Sequence, residues 1–114
     1  MKMYGIRNCD TVKKARVWLD SRAIACDFHD YKAEGIDEAR LRGWARELGW
    51  EKLLNRAGTT FRKLPDADRD GLDEDKAIAL MLRQPSMIRR PVLDLGDRRL
   101  LGFDAGRYEA ALGA

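Results

Sequence analysis

The sequence predicts an α/β fold in which helices cover a four-stranded mixed sheet. Two observations carry this prediction. A strand, a helix and a second strand follow one another within the first 31 residues, and a β-hairpin followed by a helix ends the chain. A strand–helix–strand unit of this length places its two strands parallel, whereas a hairpin adds antiparallel strands. Residues 33–84 lie between these two units and read as a helical insertion.

Hydrophobic spacing predicts the N-terminal elements. Residues 3–6 form a short apolar run, which is typical of a buried strand. The next apolar residues recur at helical spacing and predict an amphipathic helix of about 11 residues: Val12, Ala15, Trp18 and Leu19. Over residues 25–31, Cys26 and Phe28 alternate with polar neighbours, which predicts the second strand and places both side chains on its inner face.

Capping residues and breakers predict the remaining elements. Asp37, Asp73 and Asp104 each stand before an apolar helical pattern, where a carboxylate caps the first turn. The helix after Asp73 must end before Gln84-Pro85, because the residue before a proline disfavours helical backbone. Near the end, Gly96-Asp97 separates two apolar runs and suits a two-residue hairpin loop. The order β-α-β, helices, β-β-α is the thioredoxin-like arrangement, and we predict one domain over residues 1–114.

The composition excludes several classes of protein. A chain of 114 residues with 45% hydrophobic residues can bury one core, and two cysteines are too few for a disulfide scaffold. The net charge is only +3 and acids are interleaved with the cations, so we expect no binding to nucleic acid. No apolar run reaches the ~20 residues of a membrane span, and the start does not resemble a signal peptide. We therefore expect a cytoplasmic protein without a membrane partner.

Cys9 is the candidate nucleophile. It lies in a polar loop between the first strand and the first helix, where unpaired N–H groups and the helix dipole stabilise a thiolate. The neighbouring Asp10 carboxylate raises the pKa of the Cys9 thiol, but we expect the N–H donors to lower this pKa by more. The alternation in the second strand instead predicts an inert core thiol for Cys26. Because Val12 stands three positions after Cys9, there is no Cys-x-x-Cys pair, and another molecule must supply any resolving thiol.

One further feature of the sequence concerns the surroundings of Cys9, and another concerns metal binding. Arg90-Pro91 precedes the third strand and should lie across from the Cys9 loop. A proline there is often cis, which leaves a backbone edge to pair with an incoming thiol substrate, and an ordinary trans proline at the start of a strand is the alternative. His29 is the single histidine and has no neighbouring ligands, so we expect no metal site. The glycines form no phosphate-binding loop, and we expect no bound cofactor.

With Cys9, Arg90-Pro91 and this element order, the chain resembles the ArsC/Spx/YffB family, and most closely its YffB branch. The matching stretches follow the family order over nearly the whole chain: residues 4–15, 54–64, 85–91 and 101–103.

The resemblance implies a thioredoxin fold and a catalytic cysteine at Cys9. Arsenate reductases of this family form an arsenate adduct on the cysteine, hold the oxyanion with arginines, and use glutathione and glutaredoxin as thiol donors. In this sequence, the resemblance assigns the positions of these arginines to Arg90 and Arg56. The complete set that we expect to bind a small thiol or an oxyanion is Arg7, Asn8, Arg56, Arg90 and Pro91. Under a thiol-reductase function, Arg7, Arg56 and Arg90 would hold glutathione carboxylates instead.

One segment departs from the arsenate reductases. Residues 100–104 contain no arginine where those enzymes carry one. The sequence therefore favours a glutathione-dependent thiol reductase over an arsenate reductase. The alternative is an Spx-like regulator that binds RNA polymerase and has no enzymatic activity. The Cys-x-x-Cys redox switch that such regulators often carry is absent here.

Overall fold

The computed structural model describes residues 1–113 and contains one four-stranded mixed sheet. Its strands are β1 (Lys2–Gly5), β2 (Asp27–Asp30), β3 (Val92–Asp94) and β4 (Arg99–Leu101), in the spatial order β2-β1-β3-β4. The pair β1/β2 is parallel, whereas β1/β3 and β3/β4 are antiparallel. The predicted fold class is therefore confirmed.

The helices follow the predicted order. They are α1 (Asp10–Ser21), α2 (Tyr31–Glu34), α3 (Glu38–Leu48), α4 (Trp50–Leu53), α5 (Thr59–Arg62), α6 (Asp66–Arg69), α7 (Glu74–Arg83) and α8 (Ala105–Leu112), with a 3₁₀ turn at Pro85–Met87. The three predicted caps are confirmed. The side chains of Asp37, Asp73 and Asp104 accept the N–H groups three residues onward at 3.0, 2.8 and 2.9 Å, and each satisfies an otherwise unpaired donor.

The chain divides into two compact units. The sheet unit comprises Met1–Tyr31 and the chain from Arg90 onward, and the helical unit comprises Lys32–Arg89. The helical unit thus includes the predicted insertion over residues 33–84 and extends a few residues beyond it. That the whole chain acts as one domain stays a prediction. None of the helices in the described part of the chain is long and apolar enough to cross a membrane.

The core of the sheet unit lies between one face of the sheet and the helices α1 and α8. Its buried residues come from β1, α1, β3 and α8: Met3, Val12, Ala15, Trp18, Leu19, Leu93 and Tyr108. The Tyr108 ring contacts the rings of Trp18 and Phe103 edge to face, with centroids 5.6 and 4.9 Å away. Such pairs add to the area that the rings bury. This core fixes α1, which carries Cys9 at its start.

The second strand is shorter than its alternating pattern predicts. β2 comprises four residues and not the whole of residues 25–31, because β1 offers partners only from Lys2 to Gly5. Cys26 therefore lies just before the strand. It is half-buried against the core and not enclosed by it, which corrects the expected core position. At the other end, Tyr31 opens the short helix α2 and does not continue the strand.

Candidate active site

Cys9 lies at the N-cap position of α1. Its backbone is extended, with φ −137° and ψ 126°, and its carbonyl accepts the N–H of Lys13 at 2.9 Å to begin the helix. Its side chain makes no capping hydrogen bond of the kind that Asp37 makes. The first N–H groups of α1 are thus available to an anion at this position.

The surroundings of Cys9 favour its thiolate. Partial burial has the largest single influence and raises the pKa of the thiol. The backbone N–H of Val12, the Arg90 guanidinium and the backbone N–H of Thr11 act in the other direction. Together they outweigh burial, so the Cys9 pKa lies below the ordinary value of a cysteine. A larger fraction of Cys9 is therefore ionised at neutral pH than of a free cysteine.

Arg90 and Pro91 lie directly before β3, and the peptide bond between them is cis. The sequence leaves this isomer open. The Pro91 carbonyl accepts the N–H of Gly102 at 2.8 Å, which links the residue before β3 to the residue after β4. Arg90 acts on the Cys9 thiol through a side-chain hydrogen bond and through its charge. The structure thus brings the predicted Arg90 to the thiol.

Gly5, at the end of β1, allows α1 and Arg90 to approach the sheet closely. A Cβ atom at this position would lie 2.9 Å from Cγ2 of Val12 and 3.8 Å from Cβ of Arg90. Val12 is fully buried in the first turn of α1, and its β-branched side chain has few alternative rotamers. A side chain at position 5 would therefore displace the turn that holds Cys9.

We expect Gly5→Ala to destabilise the protein by about 1–3 kcal/mol, as overpacking of a dense core does, and to slow the alkylation of Cys9 at pH 7. Urea unfolding and the alkylation rate measure the two effects. Gly43→Ala is the matched control, since a Cβ atom there meets nothing within 4 Å. Gly43 is an exposed position of α3, so this variant should be more stable by up to about 1 kcal/mol and should leave Cys9 unaffected. Equal behaviour of the two variants would contradict the close-packing role of Gly5.

Arg7 and Asn8 connect β1 to Cys9, but their side chains point to other partners. The Arg7 guanidinium has Nη1 4.0 Å from Oδ2 of Asp30 and Cζ 5.5 Å from the centre of the Phe28 ring. The Asn8 side chain is exposed, and its Oδ1 accepts from Nζ of Lys13 at 3.5 Å. Their role in binding a substrate stays a prediction.

Arg56 belongs to the helical unit, where it is exposed in the turn between α4 and α5. Backbone contacts hold the start of this turn: Leu54 forms an antiparallel bridge with Ile88, and the N–H of Asn55 donates to the Met87 carbonyl at 2.8 Å. These contacts hold the two residues before Arg56 within the helical unit. Its contact with a substrate stays a prediction.

Sequence reasoning missed an arginine beside the segment at residues 100–104. Nη2 of Arg107 donates to the Leu101 carbonyl at 2.8 Å and lies 3.7 Å from a Cβ placed on Gly102. The cap at Asp104 is the available signal, because a residue three positions after a cap lies in the first turn and can reach back toward it. The Arg107 guanidinium therefore contacts residues 100–104, a segment that contains no arginine of its own.

Cys26 lies toward the opposite end of α1 from Cys9. It borders an open cavity of about 50 Å³ together with Leu19 and Asp20 from the last turns of that helix. Leu19 is about 15 Å along α1 from Cys9, whereas a disulfide needs Cα atoms within about 7 Å. Burial raises the pKa of the Cys26 thiol. The fold thus keeps the two cysteines apart and makes Cys26 the less reactive.

Comparison with known proteins gives consistent results. The sequence model of the ArsC family matches residues 4–111. A solved structure described as a YffB protein is 63% identical, with 97% of each chain covered and a TM-score of 0.95. An arsenate reductase (ArsC) related protein from Brucella melitensis is 50% identical, with 99% of this chain and 94% of that chain covered and a TM-score of 0.78. The global transcriptional regulator Spx of Streptococcus mutans is 28% identical over 92% of this chain and 77% of its own length.

Proposed function

The chain belongs to the ArsC family, and on that premise we propose that it is a thiol oxidoreductase that uses Cys9 as its nucleophile and glutathione as its thiol donor. The observation that carries the proposal is the position of Cys9 at the start of α1, beside Arg90, where its surroundings lower the pKa of its thiol. Structural cysteines have no need of such surroundings, whereas reactive ones do.

The proposed reaction is a pair of thiol–disulfide exchanges. The Cys9 thiolate attacks one sulfur of a small disulfide, forms a mixed disulfide with it, and releases the other half as a thiolate. A glutathione thiolate then attacks the Cys9 sulfur and releases the second half of the substrate. A second glutathione restores the Cys9 thiolate and forms glutathione disulfide. In total, one disulfide is reduced to two thiols and two glutathione molecules are oxidised to their disulfide.

The separation of the two cysteines supports an external thiol donor. Since Cys26 lies beyond disulfide distance of Cys9, it cannot resolve the mixed disulfide in the folded sheet unit. Glutathione, or a glutaredoxin-type protein, supplies this thiol in the proposal, and a reducing cytoplasm is the compartment that suits it. The guanidinium groups of Arg7, Arg56 and Arg90 are proposed to bind the carboxylates of glutathione, and those of Arg56 and Arg90 an oxyanion substrate in their place.

Intact-mass analysis after incubation with glutathione disulfide tests the proposal. The wild-type protein should gain one glutathionyl group, and peptide mapping should place it on Cys9. Cys9→Ser should gain none, and Cys26→Ser, the matched control, should gain one. An adduct confined to Cys26, or an unmodified protein, would contradict the proposed chemistry.

A regulator that binds RNA polymerase is the second candidate, and the similarity to Spx over nearly the whole chain supports it. Affinity capture with purified RNA polymerase separates the two candidates. The regulator would be favoured if Cys9→Ser still bound the polymerase and the wild-type protein gained no glutathionyl group. The thiol-reductase proposal expects the adduct and no stable complex with the polymerase.

A further inference from the structure

Asp30 stands out among the charged residues in the described part of the chain because it is buried, with 7% of its surface exposed. A carboxylate loses its hydration on burial, which is unfavourable unless hydrogen bonds replace it. Asp30 is the last residue of β2, beside the strand that leads to Cys9. Its burial there indicates that the carboxylate has a role at this end of the sheet.

The carboxylate of Asp30 binds the backbone of the loop that carries Cys9. Its Oδ2 accepts the N–H of Arg7 at 3.3 Å, and Nη1 of Arg7 lies 4.0 Å from the same oxygen. The Arg7 side chain is 63% exposed, so solvent screens its charge. The bond to the N–H group is the contact that fixes the main chain, two residues before the nucleophile.

The strand register explains why a side chain is needed at this point. The parallel ladder between β1 and β2 ends at the pair Gly5 and Asp30. Beyond Gly5 the chain leaves the sheet and reaches α1 at Cys9. In place of a further strand residue, the Asp30 carboxylate provides the acceptor for the Arg7 N–H. The loop is thereby fixed at a point where the sheet no longer holds it.

We infer that Asp30 is a positioning residue for Cys9: its carboxylate anchors the Arg7 backbone and so holds the thiol against the first turn of α1. This inference rests on the proposed function, in which Cys9 is the nucleophile. Asp30 itself touches no reacting atom in this account and acts through the loop.

The test is the pH dependence of Cys9 alkylation by iodoacetamide in a Cys26→Ser background. Asp30→Leu removes the acceptor at similar side-chain size, and the midpoint should rise by about half a pH unit or more. The rate at pH 7 should then fall roughly threefold. Asp30→Asn removes the same charge but keeps a carbonyl oxygen that can accept the Arg7 N–H, so its midpoint should lie below that of Asp30→Leu and no higher than that of the parent. Asp27→Asn, at the exposed start of the same strand, is the matched control and should leave the midpoint unchanged.

Two outcomes of this series would overturn the inference. An unchanged midpoint in Asp30→Leu would show that the anchor does not matter to the thiol. A lower midpoint in both Asp30 variants would show that the carboxylate acts only as a nearby negative charge.

Hydrogen exchange of the Arg7 amide provides a second measurement, which does not require Asp30→Leu to fold. The amide should be protected in the wild-type protein and in Asp30→Asn, and rapid exchange in the wild-type protein would overturn the inference. Neither measurement uses glutathione. Failure of the proposed function would appear separately, as the absence of a glutathionyl adduct on the wild-type protein.

Discussion

Replacing Cys9 by serine is expected to abolish glutathione-linked disulfide reduction, with a loss of at least about a thousandfold. A serine hydroxyl is not ionised at neutral pH, and no second cysteine lies within reach to replace the thiol. The reduction of bis(2-hydroxyethyl) disulfide, coupled to glutathione reductase and NADPH, measures the effect.

Cys26→Ser is the control for this experiment, since it removes a thiol from the other end of α1 and should keep most of the activity. Thermal unfolding of both variants shows whether either serine disturbs the fold. Substantial turnover by Cys9→Ser would contradict the assignment of the nucleophile. Loss of turnover by a folded Cys26→Ser would contradict the assigned role of external glutathione.

Removing the guanidinium beside the thiol has the second largest expected effect. Arg90 lowers the pKa of Cys9 through a hydrogen bond and through its charge, so Arg90→Gln should raise that pKa by about one unit. Near pH 7 the thiolate fraction, and with it the alkylation rate, should fall up to about tenfold. Above the raised pKa the rates of variant and parent should converge, because both thiols are then ionised.

The rate of Cys9 modification over pH 5–10, in a Cys26→Ser background, measures this shift. Arg98→Gln is the matched control, because Arg98 is an exposed cation in the hairpin loop region of the same unit. It should leave the Cys9 midpoint where it is. An equal shift in the two variants would mean that net charge, and not the contact with Arg90, sets the pKa.

The features that the sequence predicted correctly are those formed by residues close together in the chain. The caps at Asp37, Asp73 and Asp104 are formed within three residues, and they appear in the structure as predicted. The loop position of Cys9 likewise follows from the order of its neighbours, because a helix start provides the same N–H groups in any fold. The strand, helix and hairpin patterns together were enough to predict the mixed sheet.

Contacts set by the register of distant segments could not be predicted from the sequence. Asp30 meets the N–H of Arg7 across 23 residues, and this contact depends on the alignment of β2 with β1. The position of the Arg7 side chain depends on the same alignment, since its guanidinium lies near Asp30 and Phe28, both on β2. The alternation of apolar and polar residues around Cys26 predicted a strand longer than β2 for a related reason. The length of β2 is set by its partner β1, and the pattern within residues 25–31 does not show where β1 ends.

The most direct test of the account is the alkylation rate of each cysteine in the wild-type protein as a function of pH, followed by peptide mass analysis. The lowered pKa of Cys9 and the raised pKa of Cys26 predict that Cys9 reacts faster at pH 7. The midpoint for Cys9 should lie below that of a free cysteine in a short peptide under the same conditions, and that for Cys26 above it. Equal rates at pH 7, or a Cys9 midpoint at or above the free value, would contradict the account.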